Sequence, residues 1–174
     1  MSQAPTTDFV AYEYSTIRVD REMEPLYKDS YRNFGWTVEP YGTNLPNTNT
    51  VTLKLKRDRR IKNRPMVLEL QRRCENALTA ISHMERSKTS VATSVALVLG
   101  VVGAAFLAGS VFALNFGSLW LSVPLGAIGL IGWVAGYFSH GRVKANKTAE
   151  LAPLIDRQYD VVYETGEQAS RLLS

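Results

Sequence analysis

One cysteine, Cys74, and two histidines, His83 and His140, are the only thiol and imidazole groups in this 174-residue chain. A lone thiol excludes an intramolecular disulfide framework and a cysteine-based zinc site, and it suits a reducing compartment. Neither histidine has a second His, Cys or carboxylate at ligand spacing, so both read as surface or interface residues, and no metal or cofactor is expected. The chain shows no nucleophile–base pair, no pair of carboxylates in a recognisable setting and no cofactor loop, so the expectation is that it is not an enzyme. The opening residues MSQAPTTDF lack an apolar run behind a basic start. That argues against a cleavable secretory signal and makes residues 1–8 a disordered tail.

The absence of charge says more. Between Lys88 and Arg142 there is no Asp, Glu, Lys or Arg, so the 16 acids and 20 bases all lie outside that stretch. A pI near 9.3 and a mean hydropathy of -0.10, which suggest an ordinary basic soluble protein, conceal this segregation. Crossing ~30 Å of hydrocarbon takes about 20 apolar helical residues. Residues 90–114 and 119–138 each supply that length, with the turn-like 115–118 between them. A buried soluble hairpin is the alternative, but so short a chain has little with which to cover two charge-free helices. Arg72, Arg73, Arg86 and Lys88 precede the first span, and Arg142, Lys144 and Lys147 follow the second. Positive flanks stay inside, so both termini are expected in the cytoplasm of a multi-pass plasma-membrane protein. Phe112, Phe116 and Trp120 would then mark the outer interface, and Trp133, Tyr137 and Phe138 the inner one.

Small residues recur on both spans, at Ala92, Ala96, Gly100, Ala104 and Ala108 and at Ser122, Gly126, Gly129, Gly132 and Gly136. Such rows let two helix backbones approach closely. Gly126-x-x-Gly129-x-x-Gly132 is not a phosphate loop, because it lies in an apolar helix with no Lys, Ser or Thr directly after it. Pro124, within the first turns of the second span, marks its start or a mild kink. With no ionisable side chain in either span, a pump or transporter acting alone is disfavoured.

Residues 61–88 read as a stalk helix, started by Asn63 or Arg64 ahead of Pro65, with apolar positions at Val67, Leu70, Cys74, Ala77, Ile81 and Met84. This is a heptad seam. Residues 142–173 repeat it through Ala145, Thr148, Ala152, Ile155, Tyr159, Val162, Gly166, Ala169 and Leu173, with Pro153 as a point where the return helix kinks or restarts. The expected fold is thus a membrane α-helical hairpin continued by a cytoplasmic antiparallel coiled coil, plus a small N-terminal α+β module.

That module, residues 9–60, reads as β-α-β-β: a strand over 10–19, an amphipathic helix over 21–34 ended by Gly35, a short strand over 36–41, a loop over 42–49 and a strand over 50–56. Val51, Leu53 and Leu55 share one face of the last strand. The segments YEYSTIRVD, NFGWTVEP and NTVTLKLKRD resemble a small bacterial domain of unknown function, with a Tyr-x-Tyr strand, a Gly-Trp pair at Gly35-Trp36 and a strand ending in Lys/Arg. The whole layout is similar to uncharacterised two-span membrane proteins of Gram-positive bacteria. Neither resemblance implies an activity. Physically, Gly35-Trp36 reads as a left-handed helix cap followed by an anchoring indole.

The strongest charge feature is the junction 54–64, with Lys54, Lys56, Arg57, Arg59, Arg60, Lys62 and Arg64 against one acid, Asp58. It reads first as a solvated junction and second as a site for an anionic partner. The 24 residues from Arg64 to Lys88 would lift it about 36 Å along an upright helix. That far exceeds the ~8 Å Debye length, which favours a soluble polyanion or acidic protein over lipid. Nucleic acid is disfavoured because no aromatic interrupts the segment. Three functional readings follow: a membrane-tethered interaction module or accessory subunit with an unidentified protein partner, a binder of anionic lipid or polyanion, and an oligomeric pore or permeability factor, which would need a homo-oligomer.

Overall fold

A computed structural model describes residues 10–39 and 48–174. The expected loop over 42–49 and the end of the second expected strand therefore lie largely outside the described residues, as does the expected tail. The chain divides into two compact units, one built from residues 1–82 and 156–174 and the other from 83–155.

In the first unit, β1 (Tyr12–Asp20), a 3-10 turn (Arg21–Met23), α1 (Glu24–Asn33), β2 (Thr37–Glu39) and β3 (Thr50–Asp58) follow one another. The sheet is antiparallel with order β1-β3-β2. Alternation along β3 buries Val51, Leu53 and Leu55, and the register sets Val19 opposite Val51 and Ile17 opposite Leu53. Each such side chain, once buried, contributes about 1.5–3 kcal/mol. Pro25 sits in the first turn of α1, where its missing N–H has no helical partner to lose. The other end closes as a Schellman motif: Trp36 N–H donates to Tyr31 O (3.2 Å) and Gly35 N–H to Arg32 O (3.0 Å). Gly35 takes φ +78°, the left-handed conformation expected of it.

Two long helices complete the chain, α2 (Arg64–Asn115) and α3 (Leu119–Leu173), and they pack against each other. The sequence divided each into a cytoplasmic part and a span. Each pair runs on as one helix, as a coiled coil continuing the hairpin requires, because no residue near 88–90 or 139–141 removes a helical hydrogen bond. Pro153, like Pro124, lies inside α3 without ending it. Asn63, at φ 50°, leads into α2, and its carbonyl accepts the first helical bond from Val67 N–H (3.1 Å).

The first turns of α2 and the last of α3 belong to the first unit. Val67, Leu70, Cys74, Ala77 and Ile81 are buried as the spacing predicts, and so are Val162, Gly166 and Ala169. Leu78 is buried too, because α1 covers a second side of α2: Tyr31 Oη donates to Glu75 (2.9 Å) and Tyr27 meets Ser82 (3.5 Å).

In the second unit the hairpin turns through Gly117 at φ +74°, again a Schellman motif, with Ser118 N–H bonded to Ala113 O (3.0 Å) and Gly117 N–H to Leu114 O (2.9 Å). Close approach is greatest at Gly103 and Gly129: a Cβ on either would fall 2.9 Å from the other's carbonyl oxygen. Ser110 and Ser122 exchange hydroxyl-to-carbonyl bonds, 2.8 Å one way and 2.9 Å the other. The row on α3 holds through Ser122, Gly126, Gly129, Gly132 and Gly136, since its mean spacing of three and a half stays on one face. The row on α2 holds at Ala92, which is buried, and at Ala96 and Gly100, which lie against Gly136, but not beyond. A strict four-residue step drifts about 40° each time, so Ala104 and Ala108 are exposed while Gly103, Ser110 and Ala113 face the partner helix. A similar slip affects the return seam, where Ala145, Thr148 and Ala152 are exposed and the larger Val143 and Leu151 turn partly inward.

Candidate functional site

The basic junction splits into three groups once folded. Lys54 and Lys56 stand on the open face of β3, with the Lys56 ammonium over the ring of Tyr12. Arg59 and Arg60 are exposed just beyond the strand, where Arg59 N–H donates to Ala11 O (2.8 Å) and Asp58 Oδ1 accepts from Arg60 N–H (2.8 Å). Lys62 is exposed and its Nζ donates to Ser174 O (3.1 Å).

Arg57 and Arg64 turn to a different task. Arg57 continues the inward alternation of Val51, Leu53 and Leu55, and only 2% of it is exposed. Register places it opposite Glu13 on β1, to whose carboxylate it donates from Nε (2.7 Å) and Nη2. Its Nη1 donates to Phe34 O and to Gln71 Oε1, both at 3.0 Å, and the guanidinium lies 4.2 Å from the centroid of the Trp36 ring. Arg64 takes the second oxygen of Glu13 (2.8 Å). A side chain enclosed in this way is not available to an external anion, so Arg57 leaves the expected binding set and Arg64 is engaged at its edge. Composition shows the charges along a strand but not the face each occupies, and Glu13 lies 44 residues away.

The network runs on into α2. Trp36 Nε1 donates to Gln71 Oε1 (3.1 Å), Gln71 Nε2 to Glu75 Oε1 (2.7 Å), and Tyr31 Oη to that same oxygen. It thereby joins β1, β3, α1 and α2 through side chains that are all satisfied except Arg64 Nε, which is buried without a partner. Burial, then the adjacent Glu75 charge, raises Tyr31 above its ordinary pKa. Cys74 lies beside Thr165 and Ser30, and burial pushes its thiol up to about 11 despite those hydrogen bonds. A thiol held in its neutral form is a packing group rather than a nucleophile. Among the described residues no three His, Cys, Asp or Glu side chains converge as a metal site.

The residues that sequence reasoning missed are Glu13, Gln71 and the exposed pair Tyr12 and Tyr14. Only the pairing of β1 with β3 could have singled them out, since it sets Glu13 against Arg57 and Tyr14 against Lys56. What remains is a basic patch of the exposed Lys54, Arg59, Arg60 and Lys62 with the half-buried Lys56, on and just beyond β3, with Tyr12 and Tyr14 on the neighbouring strand. No family model, curated protein or solved structure matches this chain.

Proposed function

We propose that the chain is a membrane-tethered cytoplasmic interaction module. In this reading the second unit crosses the bilayer as a two-helix hairpin, both termini stay in the cytoplasm, and the first unit presents its basic patch there. The observation that carries it is where the apolar surface points. In the most apolar 18-residue windows of α2 and α3 only 6% and 17% of the residues are buried, and Leu97, Val101, Ile128 and Ile131 are among those left exposed. A core helix of a soluble protein has that surface covered, whereas lipid is the natural solvent for it. The basic flanks beside an uncharged turn support the orientation, and the buried seams of 67–81 and 155–169 support an antiparallel coiled-coil pairing of the helix ends.

Ala104 and Ala108, exposed on α2, form a small-residue row suited to a neighbouring helix. This favours an accessory subunit or a self-associating one. Extraction of native membranes with alkaline carbonate should leave the chain in the pellet, and a reporter fused after Ser174 should be active only as a cytoplasmic fusion. Release by carbonate would refute the tether, and activity outside the cell would refute the topology. Purification in mild detergent after crosslinking then names the partner.

A further inference from the structure

The open face of the sheet combines two features that the sequence keeps apart. Along β3, Lys54 and Lys56 alternate with the buried Leu53, Leu55 and Arg57, and so project from the other side. Register sets Thr16 opposite Lys54 and Tyr14 opposite Lys56. Tyr12 is 47% and Tyr14 66% exposed. The Lys56 ammonium lies 4.1 Å from the centroid of the Tyr12 ring and 5.9 Å from that of Tyr14. Alternate residues on one face of a strand rise about 6.8 Å, so the two rings are separate stacking surfaces; the one Lys56 ammonium serves both and lies over one face of Tyr12, which leaves a base the Tyr14 ring and the other face of Tyr12.

A single exposed aromatic is ordinary. Two on one face, with lysines across the strand and Arg59, Arg60 and Lys62 exposed at its end, make a platform of another kind. Aromatic rings take the π-faces of unpaired bases, and a basic border tracks the phosphates that join them. An acidic peptide or a lipid headgroup would use the cations and leave both rings idle. A duplex hides its base faces. Register puts three acids on this side, Asp20 opposite Thr50, Glu39 opposite Lys54 and Asp58 opposite Tyr12, against the cations Arg18, Lys54 and Lys56; the excess positive charge is that of Arg59, Arg60 and Lys62 at the end of the strand.

We infer that the open face of the β1-β3-β2 sheet binds single-stranded nucleic acid, with bases stacked on Tyr12 and Tyr14 and the backbone held by Lys54, Lys56 and the Arg59–Arg60 corner. The aromatics absent from segment 54–64 are thus supplied by the neighbouring strand. This names the partner of the interaction-module reading and rests on that reading for the compartment in which the face lies.

The test uses the full chain, recovered from the membrane fraction and held in detergent micelles, with a short labelled oligouridylate followed by fluorescence anisotropy across salt. Binding is expected, and Tyr12→Ala with Tyr14→Ala should weaken it at least about tenfold. Tyr12→Phe with Tyr14→Phe should retain it, since the ring and not the hydroxyl stacks. Tyr12→Leu with Tyr14→Leu, which preserves β-compatible bulk, should weaken it like alanine and so separates lost stacking from lost folding. Lys54→Gln with Lys56→Gln should flatten the salt dependence. The inference is overturned by absence of binding, by undiminished binding in the leucine variant, by polyphosphate or polyglutamate competing as well as the oligonucleotide, or by anionic vesicles binding in its place. A chain that sits in the membrane fraction yet ignores the oligonucleotide refutes this inference alone; a chain absent from that fraction refutes the tether.

Discussion

Glu13 and Arg57 face each other across β1 and β3, and one carboxylate oxygen receives both the Nε and an Nη of the guanidinium. Arg57 is enclosed by Trp36, Phe34 O and Gln71, so removing it uncovers the indole and takes a cation from a partly buried acid. Arg57→Ala should cost about 3–5 kcal/mol of unfolding free energy, the range for breaking one side of a buried pair. Arg57→Met, which keeps the stem volume and leaves Glu13 paired with Arg64, should cost less. Denaturant unfolding of the detergent-solubilised chain, followed by fluorescence, measures both. A loss under about 1 kcal/mol for the alanine variant would show that the pair is a surface contact.

The hairpin offers a ready distance probe. A Cβ on Gly136 would lie 3.5 Å from the Leu99 Cβ, within the ~3.5–4.5 Å that disulfides span. In a Cys74→Ala background, Leu99→Cys with Gly136→Cys should oxidise within one chain, giving a faster-migrating monomer whose yield does not depend on protein density. Dimers as the sole product would assign this packing to an oligomer.

How much was legible depends on how local the cause was. Gly35 could be read because a left-handed cap is set by the glycine itself, and the inward stripe of Val51, Leu53 and Leu55 because a strand has period two. Arg57, the next member of that stripe, was placed with the solvated bases, since only the pairing with β1 reveals its acid. Leu78 was missed because a heptad seam assumes one neighbouring helix, whereas α2 is covered on two sides. Ala104 and Ala108 were put on the contact face by a step that does not match the helix period. Tyr12 and Tyr14 stood in plain view, and only the register gave them Lys56 as a neighbour.

Gly35 allows a quantitative check on the cap. A Cβ there would touch Leu173 Cδ1 at 3.5 Å and Arg57 Cδ at 3.6 Å, ordinary contact distances. The penalty for Gly35→Ala is therefore conformational, about 1–2 kcal/mol for a left-handed L-residue. Gly35→Asn should cost less, because asparagine visits this region readily. Equal losses for the two variants in urea unfolding would point to crowding instead.

Stability of the first unit should fall at alkaline pH. The Cys74 thiol ionises near its ordinary 9.0 when unfolded and near about 11 when folded, and Tyr31 is raised in the same direction. A raised folded value means that the stabilisation is complete below the unfolded value and is lost as pH climbs through the folded one. The denaturation midpoint should be flat from pH 7 to about 9 and decline beyond it, less steeply in Cys74→Ala. Thiol reagents at neutral pH should label Cys74 only after denaturant is added. Rapid labelling of the folded chain would contradict the burial.

The first unit is assembled from two stretches of chain separated by residues 83–155, and this has a consequence for synthesis. When the ribosome has made β1, α1, β3 and the start of α2, Cys74 still lacks Thr165, and the surface that Val162, Gly166 and Ala169 will cover is open. At about 5–20 residues per second, several seconds pass while the apolar hairpin is translated, and the closing turns of α3 come last. Completion of the first unit is thereby made conditional on the hairpin's having been synthesised and folded back. A chain stalled midway would leave the surface of Val67, Leu70 and Cys74 uncovered, so the order of the sequence makes the core of the first unit the last part to close.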